Sequence, residues 1–143
     1  MRYLLDVNVL IALIDPGNVH HNAAHGWFAQ VGKLGFATCP LTQNGVLRIV
    51  GSPRYPNSPG SPASVVPIIS GILALAGHEF WPDDVSLLDE TKILLPHLIH
   101  SAQVTDSYLL ALAVAHGGKL ASFDRRMATK AVVGGAQALE LIE

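Results

Sequence analysis

The sequence has few charged residues and no surplus of basic ones, and both shortages bear on the class of protein. Charged side chains make up 14% of the 143 residues, against about 25% in an average soluble domain. Apolar residues reach 50%, so we expect a well-filled core and a surface that meets another protein. The formal net charge of -2 argues against a generally basic nucleic-acid binder but is compatible with a local basic patch. The length suits a single domain over residues 1–143.

Cysteine and long apolar runs are also scarce. The single cysteine, Cys39, cannot form an internal disulfide or a zinc knuckle, and this usage is typical of a reducing cytoplasm. Cys39 lies between Thr38 and Pro40 without a histidine nearby in sequence, so we expect a small buried residue and no nucleophile. The longest apolar stretch, Ser64 to Gly77, is too short to cross a bilayer and contains Pro67. We therefore expect a cytoplasmic protein without membrane contact.

Short apolar runs alternate with helical patterns along the whole chain. The predicted strands are Tyr3–Leu5, Leu34–Cys39, His78–Trp81, Lys119–Phe123 and an edge strand Ala138–Ile142. The predicted helices are Asn8–Ile14, His20–Val31, Leu41–Val50, Ala63–Ala76, Ser86–Leu95, Thr105–His116 and Arg125–Ala131. The segment Gly51–Pro62, rich in proline and serine, predicts a surface loop. This alternation indicates an α/β fold with a parallel sheet and helices on both faces.

Three aspartates stand where strands end or helices begin. Asp6 ends the first apolar run, Asp106 opens a strongly apolar helix, and Asp124 closes the fourth strand. Taken singly, each is explained as a helix cap or as a partner of a helix dipole. Because sites in parallel sheets form at the carboxyl ends of the strands, the three side chains are expected at one edge. Unpaired charge is costly in such apolar surroundings, so a divalent cation is the natural companion of these acids.

This set of acids favours one type of chemistry. Mg²⁺ and Mn²⁺ prefer oxygen ligands and usually keep several waters. Carboxylates with open water positions suit phosphodiester hydrolysis, because the metal lowers the pKa of a water and stabilises charge on the phosphate. We therefore predict that Asp6, Asp106 and Asp124 bind the metal and are catalytic.

Four segments, in this order, resemble those of a known family: LLDVNVLIAL, CPLTQNGVLR, VTDSYLLALA and LASFDRRM. Together they resemble the PIN domain and, more narrowly, the VapC-type toxins of bacterial toxin–antitoxin pairs. The resemblance covers nearly the whole chain, and Asp6, Asp106 and Asp124 match the acids that hold the metal in that family. It implies a PIN-like three-layer sandwich, with a central mostly parallel sheet flanked by helices.

The resemblance also implies an activity and partners. It implies an endoribonuclease, dependent on Mg²⁺ or Mn²⁺, that leaves a 5′-phosphate and a 3′-hydroxyl. The substrate implied is tRNA or ribosomal RNA, whose cleavage inhibits translation. The partners implied are a second copy of the chain, in a homodimer, and a cognate antitoxin that blocks the site.

One position departs from the family pattern. The family usually places a glutamate in the first turn of the third helix, where this chain reads TQNG over residues 42–45. Gln43 or Asn44 could offer a carbonyl oxygen to the metal or to its water, but neither carries charge. We therefore expect three carboxylates in place of four, and a lower affinity for metal.

Five further polar residues are candidates for supporting roles. Asn8 and Ser122 match positions that support the acids in the family, with helix capping and strand polarity as the plainer explanations. Arg48, Arg125 and Arg126 are candidates for contact with RNA phosphates. Pairing of Arg48 or Arg126 with a structural carboxylate is the alternative.

Two other functions compete with the ribonuclease. A PIN-like module could bind RNA or an antitoxin without cleavage, and the missing glutamate favours it. A phosphatase of the haloacid dehalogenase type requires a second aspartate two residues after the nucleophile, where this chain has Asn8. The phosphatase is therefore disfavoured.

Overall fold

The computed structural model describes all residues, 1–143, and is built around one five-stranded parallel sheet. The strands are β1 (Tyr3–Leu5), β2 (Phe36–Thr38), β3 (His78–Phe80), β4 (Lys119–Ser122) and β5 (Leu139–Leu141), in the order β3-β2-β1-β4-β5. Every neighbouring pair is parallel. The α-helices are α1 (Val7–Ile14), α2 (His21–Gln30), α3 (Pro40–Val50), α4 (Pro62–Leu73) and α5 (Val104–Ala115).

Helices cover both faces of the sheet, so the predicted α/β sandwich is confirmed. Successive strand residues point to opposite faces. Leu4 and Leu120 lie in one core cluster with the apolar side of α5. Leu5 and Ala121 lie in the other, with residues from α1, α2, α3 and α4. A sheet buried on both faces explains why its strands read as continuous apolar runs.

The predicted helix Ser86–Leu95 is wrong. This segment consists of turns and leads into a short 3-10 helix at Leu95–His97. Its polar side chains bind the local backbone instead: Ser86 Oγ accepts from Leu88 N at 3.1 Å, and Asp89 Oδ1 accepts from a backbone N–H two residues on. Such local bonds compete with helix formation.

The predicted helix Arg125–Ala131 is also wrong. The segment is formed of turns and irregular backbone. Ala131 O accepts a hydrogen bond at 2.8 Å from Leu94 N, and the adjacent Val132 forms a β-bridge with Ile93. Contacts with a distant part of the chain therefore override the local pattern. The other predicted elements form, with ends displaced by no more than three residues.

The apolar stretch predicted as a core helix lies largely at the surface. Only Val65 and Ile69 of α4 are buried, and the helix continues through Pro67. No helix combines the length and the apolar character that crossing a membrane would require.

The pairing of β1 with β4 places the ends of these two strands side by side. Leu5 lies opposite Ala121, and Asp6 N donates to Ala121 O at 3.0 Å. Asp6 and Ser122 are therefore the next residues on neighbouring strands, at the carboxyl edge of the sheet.

Candidate active site

Asp6 is the buried centre of this edge. It is the N-cap of α1, and its carboxylate accepts from Val7 N at 2.8 Å and from Ser122 Oγ at 2.7 Å. The side chain is held in place by a helix start on one side and by β4 on the other. Burial raises the pKa of Asp6; the two hydrogen bonds oppose this shift, and the charge of Asp124 adds to it.

The hydroxyl of Ser122 joins three of the predicted site residues. While it donates to Asp6, it accepts from Asp124 N at 3.1 Å and from Asn8 Nδ2 at 3.4 Å. Ser122 is fully buried. The structure therefore brings Asn8 and Ser122 into the hydrogen-bond network of Asp6, and Asp124 is attached to it through its backbone.

Asp106 reaches the same site from the other side of the sheet. It lies in the first turn of α5 and is half-buried. Burial raises the pKa of Asp106 to about 6, and the charges of Asp6 and Asp124 add to the increase. The three predicted acids are therefore close enough to interact electrostatically. We call the part of the sheet edge that carries Asp6, Asp106 and Asp124 the acid edge.

These acids lack compensating positive charge. The ion pairs of the structure are Arg2–Glu79, Lys92–Asp89, His116–Asp84 and Lys119–Glu140, so none includes a site acid. Beside them, the buried Asn8 Oδ1 has no hydrogen-bond partner. A set of oxygen donors with excess negative charge and an orphaned oxygen fits a hard divalent cation.

The acids do not, however, enclose a position for an ion. No group of three Asp, Glu, His or Cys side chains converges as a ready-made ligand set. This arrangement fits an ion that keeps part of its water shell, as Mg²⁺ usually does.

The first turn of α3 forms the corner of the site where the family usually has a glutamate. Other contacts hold this corner in place. Gln43 Nε2 donates to Thr38 Oγ1 at 3.0 Å, and the same hydroxyl lies 2.7 Å from His78 Nε2. Gln43 is therefore anchored to the end of β2, with its amide oxygen left as an acceptor. Asn44 is exposed.

Gly45 sits against α1 at this corner. A Cβ atom built at Gly45 would lie 2.7 Å from Val7 Cγ2, closer than real contacts allow. The two helices therefore meet where only a glycine fits, and a larger side chain there would push on the residue that follows Asp6.

The predicted arginines are exposed and form no ion pair, so pairing with a structural carboxylate is not observed. Arg125 and Arg126 directly follow Asp124. Arg48 lies in the last turn of α3, about 12 Å along the helix from its start at the acid edge.

An aromatic pair beside Asp124 was not foreseen. The rings of His20 and Phe123 stack with centroids 4.3 Å apart and planes inclined by 12°. His20 comes from the turn before α2. The sequence gives only one hint of this pair, the aromatic Phe123 directly before Asp124. The strand pattern accounts for Phe123 without a stacking partner.

Comparison with known proteins supplies the family. The family model described as the PIN domain matches residues 3–133. The chain belongs to the PIN domain family. This PIN domain is 46% identical over 134 residues to the ribonuclease VapC44 of Mycobacterium tuberculosis, covering 94% of each chain. It is 42% identical to the ribonuclease VapC39 of the same species, covering 94% of this chain and 96% of that protein.

Solved structures share the fold. VapC20 of Mycobacterium tuberculosis, described as a toxin that cleaves the sarcin-ricin loop, superposes with a TM-score of 0.62 at 13% identity, over 87% of this chain and 91% of that one. A chain of VapBC2 from Rickettsia felis, solved bound to a DNA fragment from its promoter, gives a TM-score of 0.56 at 12% identity over the whole of both chains.

The relatives bear out the family and the function predicted from the sequence, that of a PIN-domain endoribonuclease toxin of the VapC type. None of these relatives is described as a phosphatase.

Proposed function

We propose that this PIN domain is an endoribonuclease toxin dependent on Mg²⁺ or Mn²⁺, with the metal held at Asp6, Asp106 and Asp124. The observation that carries the proposal is a set of three acids, one buried and two partly buried, with which no basic side chain of the protein pairs. Burying like charges without positive partners is unfavourable for the folded protein. Binding of a cation there removes this cost and stabilises the protein.

Each side chain has a separable task. Ser122 and Val7 N fix the Asp6 carboxylate through one hydrogen bond each, so little side-chain freedom is lost when Asp6 binds an ion. Asp106, with a pKa of about 6, is mostly ionised at neutral pH and available as a ligand. When bound, the metal supplies an activated water and neutralises charge on the phosphate.

The acids themselves would repel RNA, so its phosphates need positive partners nearby. Arg125 and Arg126 adjoin Asp124, are exposed and have no carboxylate partner. We infer that they contact the RNA backbone next to the cleaved bond. Arg48 is the weaker candidate because it lies at the far end of α3.

The proposal includes substrate and partners. The substrate is tRNA or ribosomal RNA, in line with the sarcin-ricin loop named for VapC20. The VapBC2 relative supports a cognate antitoxin that neutralises the site. The apolar, charge-poor composition suits burial of surface against an antitoxin and a second copy of the chain.

The test is cleavage of total tRNA and ribosomal RNA by purified protein in Mg²⁺, in Mn²⁺ and in EDTA, followed by mapping of the ends. We expect cleavage in at least one metal, none in EDTA, and 5′-phosphate ends. Asp84→Asn is a matched control, because it neutralises an exposed acid that pairs with His116. Cleavage that continues in EDTA would exclude the metal-dependent mechanism.

A binding module without catalysis is the second candidate, favoured by the uncharged Gln43–Gly45 corner. RNA or antitoxin binding without cleavage in any metal would support it over the nuclease.

A further inference from the structure

A groove adjoins the acid edge and has no role so far. It has a volume of about 500 Å³ and is lined by His97, Ile99, His100, Gln103, Met127, Ala128, Thr129 and Lys130. One wall is the segment before α5, and the other is the segment after β4. Small-molecule sites commonly span about 300–1,000 Å³, so the groove is large enough for a nucleotide.

Both walls are continuous with the acids. Gln103 directly precedes α5, and Asp106 lies one turn further on. On the other wall, Met127 N donates to Asp124 O at 3.4 Å. A strand of RNA with a phosphodiester at the acids would therefore pass into this groove on one side of the cleaved bond.

The chemistry of the groove differs from that of the acid edge. None of its eight lining residues is an acid, and it carries a lysine and two histidines. His97, His100 and Lys130 are exposed and form no ion pair. Ile99 is exposed and supplies most of the apolar surface, because Met127 is largely buried in the core. This combination suits a phosphate together with a nucleobase.

One side chain shapes the wall that carries both histidines. Gln103 Oε1 accepts from Ile99 N at 3.0 Å and from His100 N at 2.8 Å, and its Nε2 donates to His97 O at 3.2 Å. Both polar atoms of the Gln103 side chain thus help to hold residues 97–103 in a turn. The imidazoles are displayed from an organised segment next to the acids.

We propose that this groove binds the nucleotide adjacent to the cleaved phosphodiester, with Lys130 and the two imidazoles contacting its phosphate and Ile99 facing its base. The inference rests on the proposed ribonuclease function, since it assumes RNA at the acids. It assigns substrate-positioning roles to residues outside the acid set.

The first test measures binding without cleavage. In EDTA, the histidine ring signals are followed by NMR during titration with the four 5′-phosphorylated homotrinucleotides and, separately, with inorganic phosphate. We expect saturable shifts at His97 and His100 with at least one trinucleotide and weaker binding of phosphate. The other five histidines of the chain serve as internal references.

Two results would overturn the inference. One is an absence of saturable shifts at His97 and His100. The other is equal affinity for inorganic phosphate, which would reduce the groove to an anion contact.

The second test compares two lysines. Lys130→Ala is expected to weaken trinucleotide binding about 5-fold and to reduce the slope of log affinity against log salt by about 0.7. Lys33→Ala removes an exposed charge at the amino ends of β2 and β3, where Gly77 lies close to Lys33 O. This variant should change neither the affinity for the trinucleotide nor its dependence on salt. Equal effects of the two variants would show a general charge effect and no groove.

The two proposals fail in different ways. Cleavage of RNA by the wild type without signals from the groove histidines refutes the groove alone. Groove binding without cleavage in any metal refutes the nuclease and leaves an RNA-binding groove.

Discussion

The two ends of α1 carry the same residue type, but the pKa values of the two aspartates are shifted in opposite directions. Asp6 precedes the helix and Asp15 follows it, and the two are almost equally buried, with 8% and 7% of their surface exposed. Burial raises the pKa of Asp6, whereas the hydrogen bond from Tyr55 and further donors lower the pKa of Asp15. At Asp6 the cost of burying the charge therefore outweighs the two hydrogen bonds, whereas at Asp15 the hydrogen-bond donors outweigh that cost.

The carboxylate of Asp15 accepts three hydrogen bonds. It accepts from the Tyr55 hydroxyl, from Asn57 Nδ2 at 2.8 Å and from Gly17 N at 2.9 Å. Burial and the bond to Asp15 raise the pKa of Tyr55 to about 12, so the hydroxyl remains a donor. This cluster ties the proline-rich loop to the end of α1 and needs no ion.

Asp6 has two donors and other acids nearby. A buried carboxylate whose oxygens are all hydrogen-bonded stabilises the fold, whereas one with few donors and like charges nearby indicates a place for a cation.

The largest effect is expected for Asp6→Asn on cleavage. Loss of the charge should reduce RNA cleavage by at least ~100-fold. Stability without metal should stay level or rise, because the amide oxygen can still accept from Val7 N and the costly charge is gone. Cleavage assays and urea denaturation measure the two effects. A variant that still cleaves at the wild-type rate would remove Asp6 from the active site.

Asp15→Asn should show the reverse pattern. Weakening the charge-assisted bonds from Tyr55 and Asn57 should lower the free energy of unfolding by about 2–3 kcal/mol. Cleavage at a temperature where the variant is folded should stay near the wild-type rate. If stability does not change while cleavage falls, the two ends of the helix do not have separate roles.

The third prediction concerns pH in the absence of metal. Asp106 has a pKa of about 6 in the folded protein against 3.8 ordinarily, so its contribution to stability is full below pH 3.8 and is lost as pH rises past 6. For Asp15, whose pKa is lowered, the contribution is present above its ordinary range and is lost on acidification.

In the wild type, the free energy of unfolding should fall by about 1 kcal/mol, after solvent screening, as the pH rises from the ordinary to the shifted pKa of Asp106. Asp106→Asn should remove this fall. Asp15→Asn should flatten only the acid limb. Added Mg²⁺ should weaken the Asp106 slope, because a cation favours the ionised form. Identical pH profiles of both variants and the wild type would contradict the assigned shifts.

The smallest effect concerns the contact behind Asp6. Gly45→Ala should lower stability by about 1 kcal/mol, because the new methyl meets Val7 and outweighs the better helix propensity of alanine. Combining it with Val7→Ala should cost less than the sum of the single changes. Gly71→Ala is the matched control, because a Cβ there meets no other atom within 4 Å. Additive effects would mean that α1 and α3 are not in tight contact.

The acid edge was predictable because its residues are placed by local patterns. Apolar runs marked β1 and β4, and a parallel sheet brings the residues after them to one edge. Asp6 and Asp124 follow from that rule, and Asp106 from its position at a helix start. Whether these acids bind metal stays a prediction.

The parts that escaped prediction depend on distant partners. Asp15 reads as a turn residue, because Tyr55 and Asn57 lie about forty positions further along the chain. Arg125–Ala131 has a helical pattern, but its backbone is bound by Leu94 and its neighbours. The groove was missed for the same reason, since its two walls are far apart in sequence.

The bond between Ser122 and Asp6 joins positions separated by 116 residues, and this has a consequence for synthesis. On a ribosome Asp6 is synthesised more than a hundred residues before β4, which fixes its side chain. An incomplete chain therefore cannot assemble the acid edge, whatever its first hundred residues fold into. For a protein whose relatives are ribonucleases, the order of translation thus delays assembly of the acid edge until β4 has been synthesised.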